Sequence, residues 1–171
     1  LHPLKNLNVW GDGGVVVTRS SELDAQLRLL RNHGLINRDE AQIFGHNSRL
    51  DSLQAVIANR LLEQTEFITG RRIENARRLD EGLSDLQDFI AIPPRLPNVK
   101  HVYHLYIVRA QRRDALLAHL NTHGVEAKVH YPVPVHLQKA ARSLGHQKGD
   151  FPVAEQDSQT MISLPAHQHL V

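Results

Sequence analysis

Five residues, Pro93-Pro94-Arg95-Leu96-Pro97, constrain this chain more than any other stretch. Proline fixes φ and has no N–H to donate, so three prolines in five positions exclude a helix there. The segment reads as an extended linker, and it sets a domain boundary between residues 1–92 and residues 93–171. The 171 residues are enough for one domain or for parts of two. With 41% apolar and 22% charged residues, the chain has the balance of a globular protein able to bury a core.

On either side of the prolines, strand and helix patterns alternate. Gly11-Asp12-Gly13-Gly14 is a turn, and the β-branched run Val15-Val16-Val17-Thr18 after it predicts a buried strand. Ser21-Glu22-Leu23-Asp24 predicts a capped helix start, with Leu23, Leu27 and Leu30 on one face and Gly34 beyond its end. Ser48-Arg49-Leu50-Asp51 predicts another start, followed by Leu50, Leu53, Ile57 and Leu61 at helical spacing. The rhythm continues through Ile73, Ala76, Leu79, Leu83 and Leu86, with a weak patch from Thr65 to Gly70. One kinked helix or two both satisfy it. Past the prolines, Val99–Val108 predicts a strand, Arg112–His123 a helix closed by Gly124, and Val125–His130 a strand. Short helices over Leu137–Leu144 and from Pro152 complete the pattern. Such alternation implies βα units in both halves and an α/β fold.

Several function classes recede on composition. Lys+Arg 20 against Asp+Glu 18 leaves a formal charge of +2, with the basic residues scattered, which is no footprint for nucleic acid. No apolar run approaches a membrane span, and the absence of cysteine removes thiolate metal sites and disulfides, as suits a cytoplasmic protein. His119 and His123 share a helical face, yet no glutamate lies between them and no third ligand can be identified, so no metal site is expected.

Three segments carry a more specific signal. In the first, His2-Pro3-Leu4-Lys5-Asn6-Leu7 precedes Gly11-Asp12-Gly13-Gly14. A lysine amine held in a shielded pocket can attack an aldehyde and then move protons, and a glycine turn lets backbone pass close by. The second is Gly45-His46-Asn47-Ser48-Arg49-Leu50-Asp51-Ser52-Leu53-Gln54-Ala55, where Asn47 stands ahead of a predicted helix N-terminus, a favourable place for an anion. In the third, His130-Tyr131-Pro132-Val133-Pro134-Val135-His136, two prolines restrict the backbone that presents His130, Tyr131 and His136.

Together these segments resemble the DegT/DnrJ/EryC1/StrS family of sugar aminotransferases, as do His101-Val102-Tyr103-His104-Leu105-Tyr106 and Gly149-Asp150-Phe151-Pro152-Val153-Ala154-Glu155. The resemblance covers essentially the whole chain. It implies the C-terminal part of a fold-type I pyridoxal phosphate enzyme, with Lys5 as the catalytic Schiff-base lysine and Asn47 reaching the cofactor phosphate of a neighbouring subunit in a homodimer. His130, Tyr131 and His136 would contact a nucleotide-linked sugar, and glutamate would be the amino donor. Family members that act as dehydratases carry histidine at the position of Lys5, so lysine points to transamination. Because much of the family's cofactor pocket precedes that lysine, the chain is expected to be a fragment, inactive by itself and prone to self-association through its N-terminal half, where Val15–Thr18 would be a strand short of sheet partners. The alternative expectation is a stand-alone, non-catalytic module derived from such an enzyme.

Overall fold

The computed structural model describes residues 1–170. The chain divides into two compact units, Leu1–Glu66 and a second that begins at Phe67. This division precedes the proline segment, because the long helix that follows residue 65 buries its apolar side in the core of the second unit.

In the first unit, α1 (Ser21–Leu30) starts one residue earlier in its cap than the sequence pattern implies. Ser20 Oγ accepts the Leu23 N–H at 3.2 Å. After α1 the chain doubles back as an irregular hairpin, with bridges Asn32↔Asn47 and Leu35↔Ala41. Gly34, at φ 73°, makes this possible: a Cβ there would lie 1.8 Å from the Ile43 carbonyl oxygen, and one on Gly45 would lie 2.4 Å from the Gly34 nitrogen. Two glycines thus let two backbones touch where no side chain fits.

The next helix, α2 (Ser52–Leu62), is capped by Asp51 rather than near Ser48, and the Asp51 N–H donates to Gln54 Oε1 at 3.3 Å. Its end at Leu62 and the start of α3 (Thr65–Gly82) settle the helical rhythm as two helices, broken just ahead of the weak patch. Neither α1 nor α2 contains a buried residue, and Val9 is the buried large side chain of this unit. Val15–Thr18 does not form the expected buried strand, and Val17 is 90% exposed. β-Branched residues favour a pleated surface only where a neighbouring strand supplies hydrogen bonds, and no described segment of this unit pairs with them.

The second unit holds the core. β1 (Ile90–Ala91), β2 (Tyr106–Ala110) and β3 (Met161–Leu164) form an antiparallel sheet in the order β1-β2-β3, with Ile90 opposite Ala110 and Val108 opposite Ile162. Parallel βα pairs, which the alternation of patterns implies, do not occur among the described residues. Only the end of the expected Val99–Val108 strand is regular, and Val125–His130 contributes a single bridge, Lys128↔Ser163. Along β2, Tyr106, Val108 and Ala110 are buried while Arg109 is exposed, the two-residue period of a sheet with one covered face. Ile73, Ala76 and Leu79 of α3 and Leu83 just after it pack on this cluster, as do Leu116, Leu117 and Leu120 of α4 (Arg113–Thr122). Gly124, at φ 80°, follows α4, and α5 (Pro152–Thr160) opens on proline.

Polar side chains of α3 bind backbone that no strand satisfies. Arg72 Nη1 donates to the Tyr103 carbonyl at 3.0 Å, Asn75 Nδ2 to the His167 carbonyl at 2.8 Å and Arg71 Nη2 to the Leu170 carbonyl at 3.4 Å. Burial pushes the Arg72 guanidinium below its ordinary value. Nearby, Asp80 takes two hydrogen bonds from Arg95, at 2.6 and 3.2 Å, and one from the Tyr106 hydroxyl at 2.7 Å, while the guanidinium lies 5.3 and 5.4 Å from the ring centres of Tyr103 and Tyr106.

Candidate cofactor and substrate sites

Lys5 sits on the surface in a tight turn closed by its own N–H, which donates to the His2 carbonyl at 2.9 Å. The glycine turn that follows is held by α2. Gln54 Nε2 donates to the Asp12 carbonyl at 3.2 Å, and a Cβ on Gly11 would meet that nitrogen at 3.0 Å. A Cβ on Gly13 would lie 2.9 Å from Leu50 Cδ1 and 3.0 Å from Val9 Cγ2, so this glycine lets the turn sit directly on apolar side chains.

Beside the turn is a cavity of about 840 Å³, lined by Gly13, Arg31, His46, Asn47, Ser48 and Arg49 among others. Asn47 lies in the hairpin, well ahead of the first residue of α2, so its placement comes from pairing with Asn32 and not from a helix end. Arg49 Nε donates to Asn47 Oδ1 at 3.2 Å. Arginine has no acceptor, so this contact fixes the oxygen of the amide and leaves Nδ2 as its donor side. Lys5 is not among the residues that line this cavity.

The other candidate residues belong to the second unit. Tyr131 is 72% exposed, and with His136, Val133, Phe151 and Leu144 it lines a groove of about 560 Å³. His130 is tied through Nδ1 to Ser163 Oγ on β3, at 2.8 Å. His136 is almost covered, and its Nε2 meets Glu155 Oε1 at 3.0 Å. The same oxygen accepts the N–H of Gly149 at 2.7 Å and of Phe151 at 3.4 Å, so it acts as a carboxylate acceptor and His136 Nε2 carries the proton. The Gly149 N–H above all holds the Glu155 carboxyl below its ordinary value; burial opposes this, and the bonds from His136 and Phe151 add to it. His136 therefore has one ring nitrogen committed within the protein and only Nδ1 left for a ligand. The rings of His119 and His123 lie tilted to one another with centres 4.1 Å apart, and His123 Nδ1 contacts the His119 carbonyl at 2.7 Å.

Gln54 and Glu155 are the two organising side chains that sequence patterns leave unassigned. Each lies inside a recognisable segment, but Gln54 bonds backbone at both ends and Glu155 holds two backbone N–H groups besides His136, and backbone partners leave no mark on spacing.

The amino-acid sequence matches the DegT/DnrJ/EryC1/StrS aminotransferase family over residues 1–171. The chain belongs to that family. It is 40% identical over 99% of its length to dTDP-3-amino-3,4,6-trideoxy-alpha-D-glucose transaminase of Streptomyces venezuelae, of which it covers 44%. It is 36% identical over 98% of its length to UDP-N-acetyl-3-dehydro-alpha-D-glucosamine 3-aminotransferase of Acidithiobacillus ferrooxidans, again covering 44%. Among solved structures, S. venezuelae DesV in complex with a ketimine intermediate superposes with a TM-score of 0.95 at 40% identity, covering 99% of this chain and 46% of that one. The chain thus spans less than half the length of the relatives it matches, and its fold is that of the C-terminal part of a fold-type I transferase.

As a DegT/DnrJ/EryC1/StrS member, the chain can be tested for fit to pyridoxal phosphate by its donor set. Lys5 offers a primary amine for a carbonyl, and Arg31, His46, Asn47 and Arg49 offer donors around one cavity for a phosphate. The residues suit the group in kind. No helix among the described residues is long and apolar enough to cross a membrane.

Proposed function

We propose that this chain supplies part of the active site of a pyridoxal phosphate-dependent aminotransferase that moves an amino group from glutamate to a keto group on a nucleotide-linked sugar. The carrying observation is Lys5 in its tight turn ahead of a glycine turn clamped to α2, within a chain matched along its full length to the aminotransferase family. The names of the relatives, dTDP- and UDP-sugar aminotransferases, support the substrate class.

When bound, pyridoxal phosphate supplies an aldehyde and an electron sink. Lys5 Nζ is the amine that holds that aldehyde and afterwards carries a proton to and from the reacting carbon. Asn47 Nδ2 and Arg49 orient the phosphate. By the family resemblance the site is built from two subunits, with Asn47 serving the partner's lysine. Tyr131, whose hydroxyl can both donate and accept, contacts the sugar nucleotide together with His130 and His136. Because the chain covers under half of its relatives, the activity is that of a longer protein, and the isolated chain neither transaminates nor holds the cofactor tightly.

In the full-length protein, Lys5→Ala should abolish both the visible absorbance of the bound cofactor and the half-reaction with glutamate. Mixed dimers of Lys5→Ala and Asn47→Ala subunits should regain one working site in two. Wild-type absorbance and half-reaction in the Lys5 variant would end the assignment. Mixed dimers without activity would confine Asn47 to its own subunit or remove its role.

A further inference from the structure

We propose that Gln54 is a positioning residue whose side-chain amide locks the turn beside Lys5 to the N-terminus of α2, so that a helix start and the catalytic loop move as one body. The amide is used at both ends. Its Oε1 accepts the Asp51 N–H at 3.3 Å, closing the first turn of α2, and its Nε2 donates to the Asp12 carbonyl at 3.2 Å. Because an N–H is a donor and a carbonyl an acceptor, the amide can stand only one way round. It also lies where a Cβ on Gly11 would come within 3.0 Å of its nitrogen, so Gly11 is the opening that admits it. The segment it holds also rests on Leu50 and Val9 at Gly13, but its polar ties are few. Trp10, next to Gly11, is 80% exposed, and Gly14 has nothing within 4 Å of where its Cβ would be. The Leu1 amine also donates to this turn, reaching the Gly13 carbonyl at 2.7 Å.

A lysine that must meet an aldehyde and then a substrate carbon loses rate steeply when its support shifts by about 1 Å. Lys5 is followed in the chain by Asn6–Trp10 and this turn, so the Gln54 clamp, together with the buried Val9, limits how far its backbone can wander. The proposal rests on the assignment of Lys5 to the cofactor only for its catalytic consequence; the clamp itself is a property of the turn.

Gln54→Glu separates clamp from cap. A carboxylate keeps an acceptor for the Asp51 N–H and suits the first turn of a helix, yet it has no hydrogen to give the Asp12 carbonyl. Residue-resolved ¹⁵N relaxation on this chain should give order parameters near ~0.85 for Gly11 and Gly13 in wild type, falling toward ~0.6 in Gln54→Glu, while the amides of α2 are unchanged. Gln54→Ala, which loses both bonds, should loosen the turn and fray the first turn of α2. Unchanged order parameters at Gly11 and Gly13 in Gln54→Glu, with α2 intact, would overturn the proposal by leaving Gln54 a helix cap. Borohydride trapping with pyridoxal phosphate, read by peptide mass, tests the other assignment separately. In the full-length protein, wild type should place the label on Lys5 in preference to Lys100, Lys128, Lys139 and Lys148, and Gln54→Glu should weaken that preference severalfold. Indifferent labelling in wild type alongside a loosened turn in Gln54→Glu would remove the role of Lys5 and keep the clamp.

Discussion

Tyr106→Phe isolates one hydrogen bond in the core of the second unit. The ring is 1% exposed, so phenylalanine keeps the apolar burial and leaves almost no cavity; what disappears is the hydroxyl that donates to Asp80 at 2.7 Å. A hydrogen bond to a charged partner contributes about 1.5–3 kcal/mol. Asp80 keeps its two bonds from Arg95 and some access to water, which favours the low end, about 1.5 kcal/mol. For a chain of this size that is a fall in Tm of roughly 3–6 °C. Urea melts followed by far-UV circular dichroism would measure it; fluorescence would not, since Trp10 belongs to the first unit.

The same network predicts how the deficit varies with pH. Partial burial works against the Asp80 charge, but the bonds from Arg95 and Tyr106 prevail and hold its carboxyl below the ordinary aspartate range. A carboxyl depressed in the folded state stabilises above its unfolded value, and that stabilisation fades as pH falls through the folded one. The gap between wild type and Tyr106→Phe should therefore stay constant from about pH 5 to 8 and narrow below about pH 4. Burial, and then Asp80, also push the Tyr106 phenol well above its ordinary value, so it should stay protonated while exposed tyrosines ionise. Stability from that group is complete below the unfolded value near ~10 and is lost as pH climbs beyond it. A Tyr106→Phe chain within ~0.5 kcal/mol of wild type at pH 7, the range of inert surface changes, would refute the reasoning.

Two further outcomes follow from backbone geometry. Gly34→Ala should disrupt the hairpin from Asn32 to Asn47, because its Cβ meets the Ile43 carbonyl and φ is positive; loss of hydrogen-exchange protection at His33 and Gln42, with the second unit unaffected, is the signature to seek. Glu155 should keep the Gly149–Phe151 turn closed above the ordinary glutamate range and release it only as pH falls through its lowered value; the Gly149 amide shift should follow that step, and Glu155→Gln should remove it.

The helices were largely legible because their caps and periods are local. Pro152 at the first turn of α5 and the leucines of α4 each state their own structure within a few residues. What escaped is pairing. Met161–Leu164 is a strand that follows α5 without a turn residue and is defined by its partner β2 and not by its own alternation. Val15–Thr18 has the opposite history: strong propensity and no neighbour. The site residues divide in the same manner. Lys5 and Asn47 stand out in linear motifs, whereas the bond between His136 and Glu155, and the reach of Gln54 to the Asp12 carbonyl, exist only after folding.

The grip of α3 on distant carbonyls sets an order of events during synthesis. Arg72 and Asn75 leave the ribosome more than ninety positions ahead of Gln168 and His167, whose oxygens they bind, and Arg71 waits longer still for Leu170. Until then Arg72 Nε, Asn75 Nδ2 and Arg71 Nη2 must keep their hydrogen bonds to water, although Arg72 Nη1 already has the Tyr103 carbonyl to bind. The second unit therefore completes its closure around α3 only after residues 167–170 have been made.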